Sequence, residues 1–328
     1  MRRREFITLL GGAMASWPLA ARAQSSRKKR VAVVQGGLLP GDADGQAEVA
    51  ALEAGLKDLG WKPGDDIMLD YRWPGAELVS VRAAAKDVAA SRPDLVVSRS
   101  TPTTAALMRT GLPIVFVLVA DPIGAGFVHT FAHPRGNLTG FSNFEASVGG
   151  KWLELLKEAA PDVSRAALLF NPQTAPFASG YLRAAQAAAS TLGMSVISTP
   201  CNSPADIDNA VTAQARESGG GFVGITDTFL VEHHDRIVQL ATRYRLPAVF
   251  GTRVFVQSGG LMAYAADYPD IYRRAAGYVD RILRGTGPAD LPVQEPAKFT
   301  LSVNLKAAGT IGLALPQTLI AQADEMIE

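Results

Sequence analysis

The segment Leu95-Val96-Val97-Ser98-Arg99-Ser100-Thr101-Pro102-Thr103-Thr104 decides the predicted fold. Its apolar run at residues 95–98 has the length of a buried strand, and a hydroxyl residue followed by proline is typical of a helix start. A strand that leads directly into a helix is the repeating unit of a parallel α/β sheet. The free N–H groups and hydroxyls at such a helix start suit a carboxylate, although helix capping alone also accounts for the motif.

The same alternation of short apolar runs and amphipathic segments continues along the chain. It predicts strands at residues 31–34, 67–73, 95–98, 114–119, 166–170, 195–198, 221–225, 248–250, 261–264 and 299–303, with helices around 49–60, 78–88, 150–159, 179–192, 205–217, 230–244 and 270–284. Two consecutive arrays of such units indicate an α/β protein with two doubly wound (Rossmann-like) lobes; a single closed barrel is the structural alternative. Residues 122–144, rich in glycine and proline, interrupt the rhythm as a crossing between lobes would.

Residues 1–23 have the pattern of a cleavable export signal. A basic start is followed by a mostly apolar stretch and by the small-residue end Ala21-Arg22-Ala23. The pair Arg3-Arg4 before Phe6-Ile7 is similar to the twin-arginine pattern, and a general secretory signal is the alternative. No cysteine lies near the cleavage point, so we expect a soluble protein in the periplasm without a lipid anchor.

Composition excludes several classes of protein. The sequence has 328 residues, 48% of them hydrophobic, a net charge of +1 and one cysteine, Cys201. Without the four arginines and one glutamate of residues 1–23 the net charge becomes −2, and without the basic residues 27–30 it becomes −6. A mildly acidic body does not favour nucleic acid as a partner. One cysteine forms no intramolecular disulfide, and no run of 18 apolar residues predicts a membrane span.

The usual catalytic and cofactor motifs are missing from the sequence. The turn Gln35-Gly36-Gly37 after the first strand lacks the spacing of a dinucleotide-binding loop, and neither a phosphate loop nor a Gly-x-Ser-x-Gly elbow occurs. The histidine pairs lack the carboxylate of a zinc motif. We therefore expect no cofactor, no metal and no catalysis, with an exported α/β enzyme as the alternative.

Polar residues follow several strands, at the edge where open α/β sheets bind ligands. Ser100, Thr101 and Thr103 suit a carboxylate, and Asp227 or Asp121 suits an ammonium group. Tyr264, Phe141 and Trp73 could wall in an apolar moiety. Further polar residues at strand ends are Asn171, Thr174 and Asp267, although any one of this set could serve only as a cap or turn residue.

Several motifs in this order resemble the ABC transporter substrate-binding proteins of the tryptophan/tyrosine-binding type. They are Arg3-Arg4-Glu5-Phe6-Ile7, Asp70-Tyr71-Arg72-Trp73, Ala120-Asp121-Pro122, Gly136-Asn137-Leu138-Thr139-Gly140-Phe141, Lys151-Trp152-Leu153-Glu154-Leu155-Leu156-Lys157, Phe170-Asn171-Pro172, Gly259-Gly260-Leu261-Met262, Tyr278-Val279-Asp280-Arg281-Ile282-Leu283 and Leu291-Pro292-Val293-Gln294. The resemblance implies a type I periplasmic binding protein fold, whose two lobes are joined by a hinge of three crossings and close over a solute. On this sequence the first lobe would comprise residues 31–141 with 266–288, and the second 142–265 with 289–328.

The resemblance also implies the partners and the site. The partners would be a small carboxylate-bearing solute, such as an aromatic amino acid, and an ABC permease in the inner membrane, and the protein would be a monomer; a solute sensor not coupled to transport is the alternative. The residues expected to bind the ligand are Gln35, Gly36, Ser100, Thr101, Thr103, Asp121, Asn143, Asn171, Thr174, Asp227, Tyr264 and Asp267. Arg99 departs from the small residue expected before this Thr-Pro pair, and it could add charge to the cleft or point outward.

Overall fold

A computed structural model of the protein describes residues 28–143 and 145–328. The predicted export signal at residues 1–23 lies outside this range. Among the described residues, no helix combines the length and the apolar character that crossing a membrane requires.

The first sheet has five parallel strands. They are β1 (Lys29–Gly36), β2 (Ile67–Gly75), β3 (Leu95–Arg99), β4 (Ile114–Val119) and β5 (Leu138–Ser142), which lie in the order β2-β1-β3-β4-β5. The helices that connect the first four are α1 (Ala43–Asp58), α2 (Leu78–Ser91) and α3 (Thr101–Leu107), the last extended by a 3-10 turn at Met108–Thr110. Strands β3 and β4 are buried along their length, as expected of a parallel sheet covered by helices on both faces.

The second sheet has seven strands and is parallel except for one pair. Its strands are β6 (Arg165–Phe170), β7 (Ser195–Pro200), β8 (Gly220–Gly224), β9 (Ala248–Phe250), β10 (Met262–Ala266), β11 (Phe299–Asn304) and β12 (Glu325–Ile327), in the order β12-β11-β10-β9-β8-β6-β7. Only β10 and β11 pair antiparallel among these described strands. The remaining helices are α4 (Val148–Ala159), α5 (Ala178–Leu192), α6 (Pro204–Ala215), α7 (Thr228–Glu232), α8 (His234–Arg243), α9 (Val254–Gln257), α10 (Tyr268–Leu283), α11 (Leu305–Ile311) and α12 (Gln317–Gln322), with a 3-10 turn at Pro288–Asp290.

Two open sheets confirm the predicted pair of doubly wound lobes, and the alternative of one closed barrel is wrong. Residues 122–144, predicted as an interruption between the lobes, contain strand β5. The glycine at position 140 obscures the apolar pattern of this strand. A Cβ atom at Gly140 would lie 1.9 Å from the carbonyl oxygen of Phe116 on the neighbouring strand, so only glycine fits this close approach. The single helix predicted over residues 230–244 is two helices, α7 and α8, which meet at His233.

Three chain segments cross between the lobes, and hydrogen bonds tie them to one another. The Gln294 amide donates to the Gly140 carbonyl at 3.0 Å, and the Ser142 amide donates to the Gln294 carbonyl at 2.8 Å. The Asp267 amide donates to the Lys298 carbonyl at 3.0 Å, and the two side chains form an ion pair at 2.8 Å. These contacts make the crossings one connected hinge. The lobe boundaries themselves stay a prediction.

Helix α10 follows the second crossing but packs on the first sheet. Its Ile271, Tyr272 and Ala275 belong to one buried cluster with Val97 and Val117 of that sheet. Its contact with α1 is close, because a Cβ atom at Gly55 would lie 2.8 Å from both the Ala276 Cβ and the Arg273 carbonyl oxygen. The helix therefore brings the chain back to the first lobe before the third crossing.

The contact between α1 and α10 can be tested with two helical glycines, Gly55 and Gly277. We expect Gly55→Ala to lower the free energy of unfolding by roughly 1–3 kcal/mol, because the added methyl group would force α1 and α10 apart. Gly277→Ala, in α10, meets no atom within 4 Å and should raise the free energy of unfolding by up to about 1 kcal/mol through helix propensity. Urea denaturation of both variants measures the difference, and equal effects would contradict the close packing.

Candidate functional site

A small cavity lies between the lobes, at the carboxyl ends of the strands of both sheets. Its volume is about 30 Å³. The first lobe and the crossings contribute Arg99, Ser100, Thr101, Pro102, Leu118, Ala120, Asn143 and Tyr268, and the second lobe contributes Thr174, Phe177, Thr226, Asp227, Thr228, Val231 and Thr252. The position is the one where open α/β sheets bind ligands, and seven of these residues carry a hydroxyl group.

The wall from the first lobe is built on strained backbone. Ser100 has φ 78° and ψ 156°, a conformation that residues other than glycine rarely adopt, and Leu118 has φ 55°. Hydrogen bonds hold Ser100 in place: its amide donates to the Val117 carbonyl at 3.1 Å, and its hydroxyl lies 3.1 Å from the Thr103 hydroxyl. Such strain costs about 1–3 kcal/mol for each residue and is concentrated at functional sites.

Two of the hydroxyl residues predicted in this segment reach the cavity, and one does not. Ser100 and Thr101 line it. Thr103 is buried beneath Gly36, where a Cβ atom would lie 1.8 Å from the Thr103 hydroxyl oxygen. Thr103 and Gly36 therefore shape the start of α3 from inside the lobe.

The wall from the second lobe is organised by Asp227. Its carboxylate accepts hydrogen bonds from the amide of Asn171 at 2.5 Å, from the amide of Phe229 at 2.9 Å and from the hydroxyl of Thr174. The side chain thus caps α7 and fastens it to the loop after β6. Burial raises the pKa of Asp227 to about 6, and the three hydrogen bonds oppose that shift. Asp227 and Thr174 line the cavity, whereas the Asn171 side chain accepts from the amides of Gln173 and Thr174 in its own loop.

Three buried polar atoms of the lining have no hydrogen-bond partner among the described residues. They are Asn143 Oδ1, Thr228 Oγ1 and Thr252 Oγ1. Asn143 is 8% exposed and Thr252 is 4% exposed. A buried polar group left unpaired costs about 1–3 kcal/mol, and three of them lie around this one cavity.

Arg99 lines the cavity, and its guanidinium is directed into the first lobe. Its Nε lies 3.0 Å from Glu48 Oε2, and its Nη1 donates to the Gly36 carbonyl at 2.8 Å. Glu48, on α1, is 1% exposed; burial raises its pKa while the charge of Arg99 acts in the opposite direction. Glu48 itself faces a second, larger pocket of about 430 Å³ between α1, β10 and β11.

The structure places four other predicted residues outside the lining. Gln35 is buried in the first lobe and accepts from the Tyr272 hydroxyl at 2.5 Å. Tyr264 stacks on Phe299, with ring centroids 5.5 Å apart, and both half-buried rings pack against the core of the second lobe. Asp121 and Asp267 lie at neighbouring pockets, and Asp267 also caps α10 through the amide of Asp270.

The two less certain aromatic candidates also pack elsewhere. Phe141 contacts Tyr278 in the core of the first lobe, with centroids 4.9 Å apart. Trp73 reaches across and packs against the buried cluster of the second lobe, as does Leu38. The predicted site did not include Thr252, Tyr268 or Phe177, which line the cavity. The rule that polar residues follow strand ends would have found Thr252, which lies two residues after β9.

The lobes are in contact in this structure. Besides Leu38 and Trp73, Asp44 of α1 accepts from Gln257 at 2.9 Å and pairs with Arg253 at 3.4 Å across the lobes. The cavity volume is about that of one water molecule in the liquid, so it has no room for a metabolite. A solute can enter only when these contacts open.

A third pocket, of about 250 Å³, adjoins the cavity. It shares Ala120 and Phe177 with the cavity and extends outward along the start of α5. Asp121 of the first lobe and Arg183 of the second also line it. Together the two spaces form one inter-lobe site with a hydroxyl-lined inner part and a wider outer part.

Two α/β lobes that meet over a polar cavity, joined by a hinge of three crossings, define a two-lobed binding protein. The family model described as ABC transporter substrate binding protein matches residues 31–327, and the chain belongs to this family. The family is one of solute-binding components and not of enzymes, which agrees with the prediction of a protein without catalysis.

Individual relatives support the same class. The chain is 23% identical over 275 residues to the tyrosine-binding protein of Clostridioides difficile strain R20291, covering 82% of this chain and 79% of the relative. A conserved domain protein from Vibrio cholerae O1 biovar eltor strain N16961 has a TM-score of 0.83 and 27% identity, covering 92% of this chain and 100% of that one. The ABC domain from Streptococcus pneumoniae in complex with L-Trp also has a TM-score of 0.83, with 23% identity and the same coverage.

The raised pKa of Asp227 predicts a pH dependence of stability. Between pH 3.8 and about 6 the folded state keeps a proton that the unfolded chain has released, so the free energy of unfolding falls as the pH rises through this window. Asp227→Asn removes this ionisation. The stability of the wild type relative to Asp227→Asn should therefore fall by up to roughly 3 kcal/mol from about pH 4 to about pH 6.5 and then level off. Urea denaturation at a series of pH values measures it, and a constant difference would contradict the burial of a charged Asp227.

Proposed function

We propose that the protein is the exported, periplasmic solute receptor of an ABC import system and that it captures an amino acid with an aromatic side chain between its lobes. The observation that carries the proposal is the set of unpartnered buried atoms of Asn143, Thr228 and Thr252 around one inter-lobe cavity. The family assignment supports a receptor for an ABC transporter, and the tyrosine-binding relative and the L-Trp complex support the class of solute.

The inner cavity suits the polar head of an amino acid. The hydroxyls of Ser100 and Thr101 and the start of α3 offer donors for a carboxylate. On the same side of the cavity, directly after β5, Asn143 Oδ1 is an acceptor without a donor. The ammonium group would lie at this acceptor and near the negative charge of Asp227.

The outer part of the site suits an apolar side chain. Its lining includes Phe177, Pro176 and the alanines 120, 125 and 146. Its volume of about 250 Å³ exceeds that of the inner cavity several times, so the bulk of a solute would lie there. Phe177 borders both parts and offers a ring for stacking.

The partner of the closed receptor would be a permease in the inner membrane. The acidic body of the chain, with a net charge of −6 from residue 31 onward, favours neither nucleic acid nor an anionic membrane surface. We expect the receptor to act as a monomer, which light scattering of the purified protein measures directly.

The unpartnered hydroxyl of Thr252 gives a test that separates binding from folding. Thr252→Val keeps the shape of the side chain and removes a buried hydroxyl that has no partner, so the unliganded protein should unfold at the same temperature or higher. The affinity for the solute should fall about tenfold, because a hydrogen bond to the ligand is lost. Isothermal titration calorimetry with a panel of L-amino acids, sugars and nucleosides identifies the solute and measures this loss.

The matched control is Thr191→Val in the last turn of α5. The Thr191 hydroxyl is exposed and donates to the Ala188 carbonyl at 2.8 Å, far along the chain from the cavity lining. This variant should bind as the wild type does. The proposal fails if no amino acid in the panel binds, or if Thr252→Val binds as tightly as the control.

A further inference from the structure

Two carboxyl groups and one guanidinium lie at the inner cavity or directly behind its lining. Among the described residues that line it, Arg99 is the one permanent cation and Asp227 the one carboxylate, which would balance. Glu48 adds a second carboxyl group directly behind the lining. It forms a buried ion pair with Arg99 although it contributes nothing to the lining.

The geometry commits the charge of Arg99 to Glu48. The guanidinium donates from Nε to Glu48 Oε2 at 3.0 Å and from Nη2 to Glu48 Oε1 at 3.4 Å. Its Nη1 donates to the Gly36 carbonyl. Glu48 is 1% exposed, so water screens its charge poorly. An anion that approaches Arg99 from the cavity therefore meets a pair that is already neutral.

The unpartnered oxygen of Asn143, at the hinge, also favours a solute with a cationic group. Asn143 Oδ1 can only accept a hydrogen bond, and it is nine-tenths buried without a donor. The Asn143 side chain also has a hydrogen bond with Tyr268. The vacant acceptor needs a ligand group that donates, and an ammonium group does so with its charge toward Asp227.

From these two observations we propose that Glu48 sets the charge preference of the site: it neutralises Arg99, so that the site takes solutes with a cationic centre, zwitterions or amines, and rejects solutes whose only charge is negative. The inference rests on the proposed function, since it concerns the same inter-lobe site. Glu48 acts through Arg99 and is a residue that determines specificity without touching the solute.

The ligand series that tests the selection consists of L-tryptophan, tryptamine and indole-3-propionate. Tryptamine lacks only the carboxylate and indole-3-propionate lacks only the ammonium group, so neither adds bulk. Calorimetry on the wild type at pH 7 should find indole-3-propionate at least about tenfold weaker than tryptamine. Equal or tighter binding of indole-3-propionate would overturn the proposal, and this measurement needs no variant.

Three variants test whether Glu48 is the cause. Glu48→Gln keeps an acceptor for Arg99 but frees its charge, and it should shift the preference at least about tenfold toward indole-3-propionate. The double variant with Arg99→Gln and Glu48→Gln restores the wild-type balance of the cavity and should still reject the anion. Glu53→Gln is the control, because it also removes a carboxylate from α1. The Glu53 carboxylate accepts a hydrogen bond from the Tyr71 hydroxyl and lies outside the lining.

The outcomes separate the two proposals. If none of the three indoles binds to the wild type, the proposed aromatic solute is wrong and the charge rule fails with it. If L-tryptophan binds and the preference between the other two is unchanged in Glu48→Gln, the proposed function stands and the role of Glu48 is overturned. If Glu48→Gln does not fold, the wild-type series and the double variant still decide whether the cavity rejects anions.

Discussion

The structure depends on one constraint: the carboxyl ends of two parallel sheets face each other across a hinge. Every strand of such a sheet ends in a loop whose polar groups must find partners, and where two sheets meet end to end these groups are enclosed between the lobes. Most are satisfied within the chain, as Asp227 shows with its three donors. The few that are not, on Asn143, Thr228 and Thr252, mark the site.

The hinge and the strained backbone both lie where the two lobes meet. Hydrogen bonds of Gln294 and Asp267 tie the three crossings together. On the first lobe the unusual backbone of Ser100 turns the chain sharply from β3 into α3 at the cavity wall. Strain thus lowers the stability at positions that line the candidate site, while the buried clusters of both lobes supply stability elsewhere.

The elements of the fold could be predicted because parallel strands and amphipathic helices leave a periodic pattern, and the roles of single residues could not. Tyr264 follows the rule for strand ends, but a strand covered on both faces gives no sign of which face the ring joins, and it stacks on Phe299. Glu48 is a charged residue on a helix, which a sequence reading assigns to the solvent. Its burial depends on Arg99, 51 positions away, and only the fold brings the two together.

The account predicts that a solute replaces the missing partners of the inter-lobe atoms. The most direct measurement is a crystal structure of the protein grown with saturating L-tryptophan. It should show the solute between the lobes, with its ammonium group within hydrogen-bond distance of Asn143 Oδ1 and with Thr228 and Thr252 bonded to it directly or through one water. Solute bound outside the inter-lobe site, or bound there with all three atoms still unpaired, would contradict the account.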